Sequence, residues 1–237
     1  MPSTSNKQRL LTQLFALKKR YEPAEREARP VLEEFIYAVC REGTTRDQAD
    51  RAYHSLQERF FDWNEIRVSS VREVEEALAD LPDVEHRAQR LISVLQEVFE
   101  TTFSFDLEAL HKKGVKQAAK HLARYQAASE YAVAWVVQQT LGGHAIPVDG
   151  PTLRALRRLG LVDSGQEDPE ALRSTLEHLV PKVKGALFNE LMSAIADEFC
   201  LEEEPNCPAC PLAADCPTGQ ENTQSAVAVG RSRPKSR

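Results

Sequence analysis

Four of the chain's five cysteines lie close together near its C-terminal end, at Cys200, Cys207, Cys210 and Cys216. In a reducing compartment, thiols at such spacing are more often metal ligands than partners in disulfides. Only Cys207 and Cys210 form a short Cys-x-x-Cys knuckle, of which structural zinc sites usually contain two. Prolines at 205, 208, 211 and 217 stiffen the loop. The pattern therefore favours a 4Fe-4S cluster, with zinc or a loop without metal as the alternatives.

Residues 115–140 have the pattern of two helices joined by a tight turn. A tight turn with the sequence Gln126-Ala127-Ala128-Ser129 separates the two helices, and Gly142 closes the second one. Ser129 is a good N-cap, and the free amides at a helix N-terminus are a natural site for a DNA phosphate. The pattern predicts a helix-hairpin-helix whose four turn residues contact DNA.

An aspartate follows the hairpin in the sequence Ile146-Pro147-Val148-Asp149. It precedes a short predicted helix that ends at Gly160, where Leu156 and Leu161 can make the hydrophobic contact of a Schellman motif. Asp149 is a candidate catalytic carboxylate. The alternative is that it serves only as the N-cap of this helix, which is a common role of aspartate.

These motifs together resemble endonuclease III and its relatives, the helix-hairpin-helix DNA glycosylases. The similarity extends weakly from about residue 6 to Cys216, and Arg154, five residues after Asp149, also matches the family pattern. The resemblance implies that the four cysteines hold a 4Fe-4S cluster and that Asp149 is the catalytic carboxylate. It also implies that Arg154 and the hairpin turn contact double-stranded DNA, and that the chain is a base-excision repair glycosylase.

The sequence departs from the family pattern at two places. The family's hairpin usually reads Leu-Pro-Gly-Val-Gly, whereas the corresponding residues 125–129 contain no glycine. Without glycine, the backbone approaches a phosphate less closely. Tyr131 stands eighteen residues before Asp149, where bifunctional members carry a nucleophilic lysine. Since tyrosine cannot form a Schiff base, the resemblance implies base release without strand cleavage. Tyr131 is then a stacking residue at the base pocket or an ordinary core aromatic.

The net charge argues against broad contact with DNA. The chain carries −6, whereas DNA-binding proteins usually present a basic surface. We expect a local contact through Lys116 and Lys120, within the basic run 111–124, and through the basic tail 218–237, whose composition predicts disorder. The alternative function is a non-catalytic DNA-binding or scaffold protein that has kept the fold and the cluster but has lost the active site.

Apolar residues recur at helical spacing along the chain, and no stretch shows the sustained alternation of a strand. The predicted helices cover 6–20 and 31–40, a segment opened by a capping box at Thr45 and Gln48, and segments around 70–80, 84–100, 106–112 and 115–125. Cys40 lies on the apolar face of its helix and is expected to be buried. These patterns predict an all-α fold.

The family resemblance implies a two-lobed organisation. Residues 25–149 are expected to form a six-helix barrel that contains the hairpin, and residues 150–217 a helical lobe that holds the cluster. Residues 1–24 supply a helix that packs with this second lobe, and 218–237 form the tail. The N-terminus lacks the apolar segment of a secretory signal, and no run of about eighteen apolar residues occurs. We therefore expect a cytoplasmic monomer without membrane contact.

Overall fold

The computed structural model describes residues 4–21, 28–166 and 168–223. These residues form the helices α1 to α11, four short 3₁₀ turns and a further helical segment at 217–223, and they contain no strand, which confirms the all-α prediction. The helices are α1 (Thr4–Ala16), α2 (Val31–Arg41), α3 (Arg46–Arg59), α4 (Trp63–Val68), α5 (Val71–Ala77), α6 (Val84–Thr102), α7 (Val115–Leu122), α8 (Glu130–Gln139), α9 (Gly150–Arg158), α10 (Pro169–Leu179) and α11 (Gly185–Glu198). In the described part of the chain, no helix is both long and apolar enough to cross a bilayer. Residues 218–223, the first part of the tail predicted to be disordered, are helical, so the prediction is wrong there; Gly219 and Asn222 form hydrogen bonds with the cysteine-containing loop. The rest of the predicted tail lies outside the described residues.

The chain divides into two compact units. The central unit comprises Glu25–Asp149 and holds α2 to α8, whereas the terminal unit combines Met1–Ala24 with Gly150–Arg237 and holds α1 and α9 to α11. Each unit buries its own apolar side chains, so each of the two candidate sites can be described within one unit.

Helix α2 lies at the centre of the central unit. Ten of its eleven residues are buried, all except Glu33, and it packs against α3 and α8. The predicted capping box opens α3, because the hydroxyl of Thr45 accepts a hydrogen bond from the Gln48 N–H, and the Gln48 side chain accepts one from the Thr45 N–H. Burial around almost the whole circumference is typical of a helix that its neighbours surround. Helix α2 is therefore the central element of this unit's core.

Several helix boundaries differ from the predicted ones. The segment at 106–112 is a 3₁₀ turn over Glu108–Lys112, and the segment at 70–80 ends as a helix at Ala77. Helices α4, α10 and α11 were not predicted, although α10 has clear local signals. Asp168 accepts hydrogen bonds from the first amides of α10, and Pro169 occupies its first turn, which is a favourable N-terminal sequence.

Cys40 is completely buried in α2, as expected. Burial raises the pKa of its thiol from 9.0 to about 12. The folded chain therefore keeps this proton above the pH at which the unfolded chain releases it. The contribution of the protonated Cys40 thiol to the free energy of unfolding is fully present below pH 9.0 and is lost as the pH rises toward about 12.

We predict that this thiol makes the free energy of unfolding fall with pH by about 1.4 kcal/mol per unit above its unfolded pKa. Urea unfolding between about pH 8.5 and 9.5 measures this slope before most of the tyrosine in the unfolded chain ionises, since the pKa of tyrosine is about 10. The Cys40→Ala variant should be less stable at neutral pH, because it leaves a small cavity, but its stability should fall less steeply with pH. Equal slopes for the two proteins would show that the thiol is not buried as described.

Candidate active site and metal centre

Asp149 lies at the end of the central unit, directly before α9, and is only 8% exposed. Its Oδ2 atom accepts a hydrogen bond of 2.9 Å from the backbone N–H of Gly43. Gly43 belongs to the turn between α2 and α3 and has a φ of +70°, a conformation that strains any residue with a Cβ atom. The candidate carboxylate is therefore held by a main-chain group of a turn that the sequence motifs do not reveal.

The turn between α2 and α3 also contacts the hairpin. The Glu42 carboxylate accepts a hydrogen bond of 2.8 Å from the Ser129 hydroxyl, and it forms an ion pair of 2.9 Å with Arg90 on α6. Two consecutive residues of this turn, Glu42 and Gly43, thus hold the hairpin and the candidate catalytic aspartate. One short turn therefore contacts both.

Tyr131 lies in the first turn of α8 and is buried. Its ring stacks on Trp135, with a centroid separation of 5.7 Å and an interplanar angle of 26°. Burial raises the pKa of Tyr131 well above its usual value; Arg41 opposes this rise, and the negative charges of Asp149 and Glu42 add to it. The phenol therefore stays neutral at physiological pH, close enough to Asp149 for the two groups to interact electrostatically.

The hairpin turn connects α7 to α8 as predicted. Ser129 is the N-cap of α8, where its Oγ accepts a hydrogen bond of 3.1 Å from the Ala132 N–H. The Gln126 N–H donates to both carboxylate oxygens of Glu97 at 3.1 Å each, and Arg90 Nε donates to the Ala127 carbonyl at 3.2 Å. The turn is closed by a hydrogen bond from the Ala128 N–H to the Tyr125 carbonyl. Two carboxylates, Glu97 and Glu42, are thus bonded to the predicted DNA-binding turn.

Helix α7 presents a basic surface. Lys116 and Lys120 are both exposed on it. Partial burial lowers the pKa of His121, and the positive charges of Lys113 and Arg124 lower it further. Positive charge is therefore concentrated along this helix, in contrast to the acidic groups at the neighbouring turn.

Arg154 lies on α9 in the terminal unit, beside the cysteine-containing loop. Its Nε donates a hydrogen bond of 2.9 Å to the Cys200 carbonyl, and its guanidinium lies 4.0 Å from Glu202. One turn later on α9, Arg158 donates to the carbonyls of Leu201 and Glu202. The two arginines hold the beginning of the loop, and a DNA contact by Arg154 stays a prediction.

None of the five cysteines forms a disulfide. Cys200, Cys207, Cys210 and Cys216 line one cavity in the terminal unit together with apolar side chains such as Ile195 and Phe199. Two amides point at sulfur atoms in this cavity, since the Gly219 N–H donates to Cys216 and the Asn222 side chain donates to Cys207, both at 3.3 Å.

The arrangement of these thiols does not suit a single metal ion. Within the described residues, no three cysteine, histidine, aspartate or glutamate side chains are arranged to hold one ion. A cuboidal cluster needs a different geometry, because each of its four irons takes one thiolate and the thiolates lie at separate corners. Hydrogen bonds from amides to sulfur are among the features that tune such clusters. A cluster at this loop stays a prediction.

Curated proteins with similar sequences come from plants and from mouse. DNA glycosylase/AP lyase ROS1 of Arabidopsis thaliana is 29% identical over 172 residues, which cover 65% of this chain and 12% of that protein. Endonuclease III-like protein 1 of Mus musculus is 34% identical over 116 residues, which cover 49% of this chain and 34% of that protein. The chain thus spans about a tenth to a third of the length of these relatives. No family model matches it.

Solved structures match a larger part of the chain. A non-covalent endonuclease III–DNA complex has a TM-score of 0.72 at 19% identity, with 94% of this chain and 100% of that chain covered. A thermostable thymine-DNA glycosylase has a TM-score of 0.65 at 15% identity, with 92% and 98% covered. The chain therefore has the fold of endonuclease III, as its motifs predict.

Proposed function

We propose that the chain is a base-excision repair glycosylase that hydrolyses the N-glycosidic bond of a damaged or mispaired base in double-stranded DNA. The observation that carries the proposal is the buried Asp149 carboxylate, held by the Gly43 N–H at 2.9 Å in a chain with the endonuclease III fold. The curated relative from Arabidopsis is named a DNA glycosylase, and the endonuclease III structure is a complex with DNA. Both support this assignment.

The proposed reaction requires little more than one correctly placed carboxylate. The target nucleotide leaves the base stack, because its glycosidic bond is inaccessible within the duplex. As this bond breaks, positive charge develops on the sugar, and the Asp149 carboxylate stabilises it while a water molecule attacks C1′. The hydrogen bond from Gly43 fixes the orientation of the carboxylate before the substrate binds.

The same geometry supports a reaction that stops at base release. Strand cleavage by relatives with a lysine begins with the attack of its amine on C1′. Tyr131 replaces that lysine and is a buried, neutral phenol stacked on Trp135. It offers no amine for a Schiff base. We therefore propose that the enzyme is monofunctional.

The proposal includes a 4Fe-4S cluster bound by Cys200, Cys207, Cys210 and Cys216. The support is their common cavity and the two amide-to-sulfur hydrogen bonds. With all four irons bound to cysteine, the cluster would cross-link the loop without an open position for a substrate. Its role would be to stabilise the terminal unit.

A second candidate function is a non-catalytic DNA-binding or scaffold protein. The observation that favours it is the chemistry of the hairpin turn, where the Gln126 N–H and the Ser129 hydroxyl donate to the carboxylates of Glu97 and Glu42. These negative charges lie where a family hairpin is expected to meet a DNA phosphate, and they would repel it. A protein with this turn could bind DNA weakly through α7 without releasing a base.

A panel of duplexes, each with one lesion or mismatch, distinguishes the two functions. A monofunctional glycosylase should leave an intact strand with an abasic site that breaks only after alkali treatment, and borohydride should trap no covalent complex. DNA binding without base release from any duplex would favour the non-catalytic function. A borohydride-trapped complex would instead show that another amine replaces the missing lysine.

We predict that DNA binding depends mainly on the basic surface of α7. Reversing the charges of Lys116 and Lys120 should weaken binding to all sequences and reduce the slope of log K against log salt by about two, roughly one per lost phosphate contact. Titrations at several salt concentrations measure this slope. The exposed pair Lys18 and Lys19 provides a control with the same change in net charge, and an equal effect there would show that only total charge matters.

A further inference from the structure

A buried arginine of α6 supports the turn that holds Asp149. Arg87 is 6% exposed, and its guanidinium donates hydrogen bonds to the main-chain carbonyls of Val39 and Glu42 at the end of α2. Its Nε donates to the Pro82 carbonyl at 2.8 Å. The last carbonyls of a helix lack donors within the helix and carry partial negative charge, so a cation is favoured there.

One of these carbonyls belongs to the peptide group that binds Asp149. The Glu42 carbonyl accepts from Arg87, and the N–H of the same peptide group, that of Gly43, donates to Asp149 Oδ2. A peptide group is planar, so fixing the direction of its carbonyl also fixes the direction of its N–H. Hydrogen bonds in such a chain polarise one another, which makes the N–H a better donor.

We propose that Arg87 is a positioning residue for Asp149, because it orients and polarises the Glu42–Gly43 peptide group that holds the carboxylate. This inference rests on the proposed function, since it assigns Arg87 a part in the same reaction. A lysine could not replace it fully, because its ammonium lacks the planar fork that reaches several carbonyls at once.

A neighbouring arginine on the same helix contacts a different part of the site. Arg90, three residues further along α6, pairs with the side chain of Glu42 and donates to the Ala127 carbonyl in the hairpin turn. Arg87 therefore bonds to the main chain of the turn that holds Asp149, whereas Arg90 bonds to the Glu42 side chain and to the hairpin turn. Loss of Arg87 should reduce the rate of the chemical step, and loss of Arg90 should mainly weaken DNA binding.

The test compares Arg87→Lys with wild type in single-turnover base release at saturating DNA. We expect the rate to fall by about 10- to 100-fold, as for a small displacement of a catalytic group, while DNA affinity stays within about twofold. Arg67→Lys is the control, because Arg67 is also partly buried and bonded to Asn64 and Gln96, but it lies in α4. It should lower stability without changing the rate. Should Arg87→Lys not fold, Arg87→Gln is the second variant, with the same expected separation of rate from affinity.

The Gly43 amide gives a readout that does not depend on activity. Labelling the ten glycines with ¹⁵N and the glutamates with ¹³C at the carbonyl identifies its signal, because Gly43 is the one glycine in the sequence that follows a glutamate. We expect the signal to move in the Arg87 variant and not in Arg67→Lys. An unchanged Gly43 signal, or equal rate losses in the Arg87 and Arg67 variants, would contradict the inference. If wild type releases no base, the proposed function fails, and the Gly43 signal alone decides whether Arg87 sets this hydrogen bond.

Discussion

Base release should collapse in Asp149→Asn while the protein stays folded. The amide keeps an oxygen that can accept the Gly43 hydrogen bond and caps a helix about as well as the carboxylate does, so the free energy of unfolding should fall by no more than about 1 kcal/mol. It loses the negative charge that stabilises the sugar, so the rate should fall by at least about 100- to 1000-fold. Single-turnover assays and urea unfolding measure the two quantities.

Asp168→Asn is the matched control for this experiment. Asp168 is an N-cap of α10 and accepts hydrogen bonds of 3.3 Å from the amides of Glu170 and Ala171. The same substitution there should leave base release unchanged, because the capping role survives and no reaction depends on it. If Asp149→Asn releases base as fast as wild type, Asp149 has only a structural role, and the enzymatic function is wrong.

The parts of the site that follow from local sequence were predictable. Ser129 caps α8, and the helix after Asp149 ends in a Schellman motif. There the Leu161 N–H bonds to the Leu156 carbonyl, the Gly160 N–H bonds to the Arg157 carbonyl, and Gly160 has a φ of +66°. Caps and turns are determined by residues a few positions apart, so a single sequence shows them.

The supporting contacts of the site could not be predicted in this way. Gly43 and Asp149 are 106 positions apart, Glu42 and Ser129 are 87 apart, and Arg87 and the Glu42 carbonyl are 45 apart. Such pairs depend on how whole helices pack, and no local pattern specifies them. The one available signal was Gly43 itself, a glycine directly after a helix, but that pattern usually marks only the end of the helix.

The hairpin shows a further limit of motif comparison. The sequence of the hairpin shows that the family glycines are missing. It does not show which groups bond to the turn amides that a DNA phosphate would otherwise contact. The structure shows that Glu97 accepts the Gln126 N–H at 3.1 Å, in a turn position where the family pattern has a proline without an N–H. A new backbone donor and a carboxylate that satisfies it therefore occur together. We infer that the turn is stabilised internally, which leaves α7 as the main candidate for phosphate contact.

The largest structural change is expected from Cys207→Ser. Wild-type protein purified without oxygen should be brown and contain about four iron and four sulfide per chain, whereas the variant should be colourless with well below one of each. The Cys207 sulfur accepts a hydrogen bond from Asn222, and the loop is tied to α9 through Arg154 and Arg158 at Cys200. Loss of the cluster should therefore reduce the stability of the terminal unit well beyond the local loop.

Loss of the cluster should also weaken the packing of α1 in the terminal unit. Asp215, between the last two cysteines of the loop, forms an ion pair with Arg9 and accepts a hydrogen bond of 2.6 Å from Gln13, while Asn6 donates to its carbonyl. Protease digestion should thus cut near α1 faster in Cys207→Ser than in wild type. Cys40→Ser is the control, because this fifth cysteine is buried in α2 of the central unit and its replacement should leave iron content and α1 unchanged. A colourless wild-type protein with one tightly bound zinc would contradict the proposed cluster, and equal protection of α1 in both variants would show that α1 docks independently of the loop.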